Sequence, residues 1–208
     1  MEEKADTKTR VGVMGGSFDP IHFGHLVTAE AARVKFGLDK VKFIPTARSP
    51  VKKSSVASAQ ERYLMTVLAT ATNANFEVSR MEIEREGPSY TIDTLEAQKR
   101  EYGDSDKIFF IAGADAVLDI LSWKDSQRFS GVAQFIAATR PGYDLSQFNK
   151  ISKEARDLPQ IHILEIPALA ISSTDLRRRV REGLSIRYLV PGSVEAFIAK
   201  SRLYMNDG

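Results

Sequence analysis

Beyond a polar, charged opening, MEEKADTKTR, the chain alternates between two kinds of apolar pattern. The first kind is short and dense: VGVMG at 11–15, VKFIP at 41–45, FEVSRMEIE at 76–84, KIFFIAG at 107–113, AQFIAAT at 133–139 and IHILEIP at 161–167. Most of these runs are rich in β-branched or aromatic residues, which predicts strands buried on both faces. The second kind spaces its apolar residues at helical intervals. Residues 24–36 put Val27, Ala31 and Val34 on one predicted face and stop at Gly37, a natural C-cap. Residues 58–73 open with Ser58 and Glu61 at capping-box spacing. Further helices are predicted over 91–102, 115–122, 146–157, 173–182 and 193–201.

Strand followed by helix, repeated, predicts an α/β doubly wound, Rossmann-like fold with a mainly parallel sheet. No repeat or long linker divides the chain. The expectation is a disordered tail over 1–10 and one domain over 11–208, a length that supports a core without staples. In such sheets ligands bind at the carboxyl ends of the strands, near the switch in strand order, so the loops after strands carry the information.

Composition narrows the classes. A net charge of +2 gives no field for bulk nucleic-acid binding. The chain has no cysteine, which removes disulfides, thiolate metal sites and a cysteine nucleophile. Neither a signal peptide nor an apolar run approaching the ~20 residues of a membrane span is present. The expected setting is cytoplasmic, with no membrane and no nucleic acid as partner; a homo-oligomer is compatible with the sequence.

The first strand runs into Gly15-Gly16-Ser17-Phe18-Asp19-Pro20-Ile21-His22-Phe23-Gly24-His25 and then a helix. Paired glycines after a strand let a ligand approach the backbone. Two imidazoles at the positive end of a helix suit a polyphosphate. Taken singly, each residue has a plainer explanation: a tight turn, a structural histidine, or an Asx turn at Asp19. The two histidines lack a nearby third ligand for a metal site, and the GxGxxG dinucleotide fingerprint is missing.

A second candidate follows the last strand run: Ile171-Ser172-Ser173-Thr174-Asp175-Leu176-Arg177. Ser173 and Thr174 can cap helix amides or donate to phosphate oxygens, and Arg177 follows one turn later on their face. Helix amides, hydroxyls and a guanidinium then converge on one anion. Arg178 and Arg179 point about 100° and 200° away and belong to a solvated basic run. Three further segments end strands or precede helices: Pro88-Ser89-Tyr90-Thr91-Ile92-Asp93-Thr94-Leu95, Gly113-Ala114-Asp115 with the later Trp123-Lys124, and Arg140-Pro141-Gly142-Tyr143. A loop tryptophan near free amides suits a flat ring bearing an anionic substituent, although Trp123 also fits plain core packing. Asp115 equally fits a helix N-cap.

The string GGSFDPIHFGH resembles, position by position, the adenylyltransferase branch of the HxGH nucleotidyltransferase superfamily. ISSTDLR resembles its second motif, ISSTxIR, with Leu176 a volume-conserving replacement. SYTIDTL, GAD with a later tryptophan, and RPGY are similar to the bacterial nicotinate-nucleotide adenylyltransferases. The resemblance covers nearly the whole chain. It implies ATP and nicotinate mononucleotide as partners, with Mg²⁺ carried by ATP and no metal held by the protein. His22, His25 and Arg177 become the expected catalytic residues. ATP is expected against Gly15, Gly16, Ser17, Phe18, Gly24, Lys52, Asp115, Ser173 and Thr174, besides those three. Tyr90, Thr91, Trp123, Lys124 and Arg140 are expected at the second substrate, with the ring between Thr91 and Trp123 and its carboxylate on backbone amides. One stretch departs: the family often has PPHK or PPHR where this chain has Ser49-Pro50-Val51-Lys52, so Arg48 or Lys53 competes with Lys52 for the basic role.

Two alternatives fit less well. Phosphopantetheine adenylyltransferases are usually shorter and have a threonine where His22 stands; neither they nor the cytidylyltransferases are expected to carry SYTIDTL and Trp123. A nucleotide-binding regulator without activity is opposed by the presence of both histidines and Arg177.

Overall fold

The computed structural model describes residues 8–48, 55–103, 107–121, 126–146, 148, 158–167 and 169–205. Six strands form one sheet: β1 (Arg10–Gly16), β2 (Lys40–Pro45), β3 (Phe76–Val78), β4 (Lys107–Gly113), β5 (Gln134–Thr139) and β6 (Ile161–Glu165). Their order is β3-β2-β1-β4-β5-β6, and every neighbouring pair is parallel. The sheet expected to be mainly parallel is wholly so. The described helices are α1 (Phe23–Phe36), α2 (Ala59–Thr70), α3 (Met81–Glu84), α4 (Thr91–Tyr102), α5 (Ala114–Leu121), α6 (Ser173–Arg181) and α7 (Gly192–Lys200). The helix expected over 146–157 lies almost wholly outside the described residues.

Alternation along the strands sorts the core into two layers. Phe109 and Ile111 of β4 pack on one face with Met14, Phe43, Ala29, Met65, Leu176 and Val194. Ile108 and Phe110 pack on the other with Val11, Val13, Ile44, Leu95, Val117 and Phe135. At burial worth ~25 cal/mol per Å² of apolar surface, these two layers are what hold the helices against the sheet.

Local signals hold where the sequence is explicit. Gly37 adopts the left-handed conformation (φ 57°, ψ 46°) and ends α1. Ser58 and Glu61 form the expected capping box of α2.

Two expectations are corrected. The run 76–84 is not one strand, because β3 stops at Val78 and Met81–Glu84 is helical. Alternation in phase with Phe76 and Val78 would place Arg80, Glu82 and Glu84 on the core face, so the pleat cannot continue. Instead the Ser79 amide donates to Phe43 O and its hydroxyl accepts from the Met81 amide, which turns the chain. In α1 the buried residues are Thr28, Ala29 and Ala32, while Val34 is 66% exposed. Two alanines let the helix axis approach the sheet more closely than valines would, and Thr28 is occupied by a hydrogen bond to Gly24 O.

Candidate active site

The switch in strand order falls between β1 and β4, whose following loops leave in opposite directions. Two hollows open there. The larger, about 620 Å³, is bordered by Gly15, His22, Gly24, His25, Gly113, Asp115, Thr139, Arg140, Tyr143 and Ile171–Ser172 among others. The smaller, about 240 Å³, is bordered by Gly15–Ser17, Thr46, Glu82, Ser89, Thr91, Thr94, Phe110 and Asp119 among others. They share Gly15, Ala112 and Ala116. Two ligands seated in them meet beside the first loop.

His22 is the extended N-cap of α1 (φ −149°, ψ 171°), and its backbone N–H donates to His25 Nδ1 at 3.2 Å. Because Nδ1 of His25 accepts, the proton of its neutral ring resides on Nε2. The two rings lie 3.8 Å apart between centroids, tilted by 32°, and the edge of Phe18 supports His25 at 5.1 Å. Gly24 is required by His22 itself: a Cβ there would stand 2.9 Å from Nδ1 and 3.0 Å from Cε1 of that ring. His22 is buried, and desolvation lowers its pKa to about 4, so it is neutral at pH 7. Its Nδ1 is buried with no hydrogen-bond partner among the described residues, a group a polar ligand would satisfy.

The loop is held from behind by Asp19. Instead of closing a local Asx turn, its carboxylate accepts from the amides of Val56 (2.8 Å) and Ala57 (3.2 Å) and from the Tyr204 hydroxyl (2.7 Å). Arg62, only 1% exposed, donates to the carbonyls of Ser17 (2.6 Å), Ala57 (3.2 Å) and Ala47 (3.4 Å). The second motif docks on the same loop: Ser173 Oγ donates to Pro20 O at 2.9 Å, and Arg177 Nη1 to Asp19 O at 2.6 Å. Arg177 Nη2 reaches the Thr174 hydroxyl at 3.3 Å. Capping of α6 falls to Ser172, whose hydroxyl accepts from the Asp175 amide, rather than to Ser173 or Thr174. Arg178 and Arg179 both pair with Asp175, and Arg178 also with Glu182.

A cytidylyltransferase-like family model matches residues 13–179. The probable nicotinate-nucleotide adenylyltransferase of Moorella thermoacetica is 54% identical over 201 residues, covering 94% of this chain and 91% of that one. Its counterpart in a Thermoanaerobacter species is 50% identical over 205 residues, covering 97% of each chain. The chain belongs to the nicotinate-nucleotide adenylyltransferase family. Its fold is also that of Plasmodium falciparum nicotinic acid mononucleotide adenylyltransferase, solved with NaAD (TM-score 0.74) and with APC (TM-score 0.72). Each is 21% identical and covers 94% of this chain and 97% of that one.

The structure brings many of the expected residues to the hollows, with exceptions. Gly15, His22, Gly24, His25, Asp115 and Arg140 border the larger hollow, and Gly15, Gly16, Ser17 and Thr91 the smaller. Thr91 opens α4, whose first amides take no side-chain cap. Tyr90 precedes it, 47% exposed and outside the smaller hollow's wall. Phe18, at 1% exposure, turns its side chain into the core, with its ring edge-on to His25. Asp115 is not an N-cap; it lies within α5 and accepts from Tyr143 OH at 2.6 Å, which raises that phenol to about 12. Ser173, Thr174 and Arg177 stand just beyond the larger hollow, whose wall ends at Ser172. Trp123, Lys124 and Lys52, with the rest of 49–54, lie outside the described residues.

The sequence reading missed Arg62, Glu82 and Tyr204. Arg62 in an amphipathic helix and Glu82 in an alternating run read as solvated, and Tyr204 sits in a turn near the C-terminus with no local sign of its distant partner; only their burial reveals them.

Proposed function

We infer that the chain transfers the adenylyl group of ATP to nicotinate mononucleotide, giving the dinucleotide precursor of NAD and pyrophosphate. The observation that carries this reading is the pair of hollows meeting at Gly15, with His22 and His25 on the wall of the larger one. ATP occupies the larger hollow and the mononucleotide the smaller. An oxygen of the acceptor 5′-phosphate attacks the α-phosphorus in line; the new P–O bond forms as the bond to the bridging oxygen breaks, and pyrophosphate leaves. A phosphate monoester has its second pKa near ~6, so the nucleophile is already largely dianionic at pH 7 and needs no general base.

Catalysis is then positioning and charge stabilisation. His25 donates through Nε2. His22 is neutral in the unliganded fold, and a polyphosphate beside it favours its protonated form. Arg177 adds positive charge at the phosphates from a position tied to the loop. Mg²⁺ enters as Mg–ATP, keeping most of its waters. The described helices include none long and apolar enough to cross a membrane, and the absence of cysteine suits a reducing cytoplasm.

Pyrophosphate release with Mg–ATP and either nicotinate or nicotinamide mononucleotide tests the reading. Backbone amides accept a carboxylate with every donor paired, whereas the carboxamide turns an NH₂ toward one of them. The expected preference for nicotinate is on the order of 10²-fold in kcat/KM. Equal efficiency would remove the acceptor assignment, and an unimpaired His25→Ala enzyme would remove the catalytic one.

A further inference from the structure

Glu82 is a charged residue with no place in the phosphate chemistry, yet it is 5% exposed and borders the smaller hollow. Its Oε1 accepts from the Thr94 hydroxyl at 2.6 Å, and Arg85 Nη2 donates to that same hydroxyl oxygen at 3.2 Å. Oε2 and the Ser89 hydroxyl are both buried without a hydrogen-bond partner. Burial pushes the carboxyl above the ordinary glutamate range, and the Thr94 hydroxyl bond and the nearby Arg85 guanidinium pull against it.

The placement of these partners matters more than their number. Glu82 belongs to α3, Thr94 to the first turn and a half of α4, and the loop between the helices carries Gly87 at φ 90° and leads into Thr91. The Glu82–Thr94 bond therefore closes the loop that forms one wall of the hollow. A buried carboxyl whose partner is lost carries a full desolvation penalty, so the native arrangement strongly prefers one loop geometry.

We propose that Glu82 is a positioning residue of the acceptor hollow, holding the first turn of α4 against α3 so that Thr91 and its neighbouring amides face the mononucleotide. The proposal rests on the assignment of the smaller hollow to the acceptor. It assigns Glu82 no contact with the reacting phosphates.

The test is steady-state pyrophosphate release by the full-length enzyme, with KM measured separately for nicotinate mononucleotide and ATP. Glu82→Ala raises the mononucleotide KM on the order of tenfold, equal to ~1.4 kcal/mol, and leaves the ATP KM within about twofold. Thr94→Val does the same by removing the donor, and carries the test if Glu82→Ala does not fold. Glu82→Gln keeps an acceptor for Thr94 and stays near wild type. Parallel loss at both substrates, or Gln as damaging as Ala, overturns the proposal. Asp119→Trp, a substitution on another part of the smaller hollow's wall, separates the two readings. If it leaves the mononucleotide KM unchanged, the acceptor assignment fails and the proposal with it. If it raises that KM while Glu82→Ala and Thr94→Val do not, the proposal alone fails.

Discussion

Gly24→Ala sets two opposed forces against each other at the catalytic loop. Gly24 is the second residue of α1, and helix propensity favours alanine over glycine by ~1 kcal/mol. The methyl group, however, would arrive 2.9 Å from Nδ1 and 3.0 Å from Cε1 of His22. Such atoms rest at ~3.5 Å or more, so the ring must retreat by roughly 0.5 Å. It has little room: His22 is 6% exposed and its ring lies 3.8 Å from that of His25 between centroids. Overpacking of this kind costs ~1–3 kcal/mol, so the net effect is destabilisation between about 0 and 2 kcal/mol. The catalytic effect is larger than the stability effect. A misplacement near ~1 Å costs on the order of 10²-fold, so a displaced His22 is expected to lower kcat by about tenfold or more. Gly192→Ala is the matched control, because it opens α7 and a Cβ there meets no atom within 4 Å. Thermal unfolding and steady-state kinetics on both variants check the argument. A Gly24→Ala enzyme that gains stability as the control does and turns over normally would refute the steric reasoning.

Arg177→Ala should weaken ATP binding and turnover by about tenfold or more, while Arg178→Ala, which loses only exposed pairs with Asp175 and Glu182, should change either by less than about twofold; ATP titrations with similar shifts for both would contradict the assignment. The folded-state pKa of His22, about 4, lies below the ordinary 6.5, so the unfolded chain binds more protons between those values. Stability contributed by this group is complete above pH ~6.5 and falls as the pH drops toward 4, by on the order of 3 kcal/mol at the limit. Urea unfolding across pH 4–7 should show that slope in the wild type and a shallower one in His22→Asn. Tyr204→Phe deletes the hydroxyl that donates to buried Asp19, and should cost ~1–2 kcal/mol in urea unfolding with Tyr204 more than a hundred residues from the loop it stabilises.

Much of this protein was legible in the sequence because the relevant forces act over a few residues. Dense apolar runs mark the six strands, and Gly37 and the Ser58–Glu61 pair mark helix ends through conformations and bonds closed within one turn. The eleven-residue loop after β1 was legible for the same reason, since its glycines and histidines act on one ligand from one short segment. Tertiary structure decided the rest. Which face α1 buries depends on what the sheet offers it, and Ala29 and Ala32 won over Val34 by allowing close approach. Whether Glu82, Arg62 and Asp19 are solvated or buried depends on partners that strand order supplies. Asp19 meets Val56 and Tyr204 across 37 and 185 residues, and Arg177 meets the loop across 158. No local pattern encodes such pairs. They form because a charged or polar group enclosed by the fold must find a partner there, and the chain segment that provides it is set by the packing of distant elements.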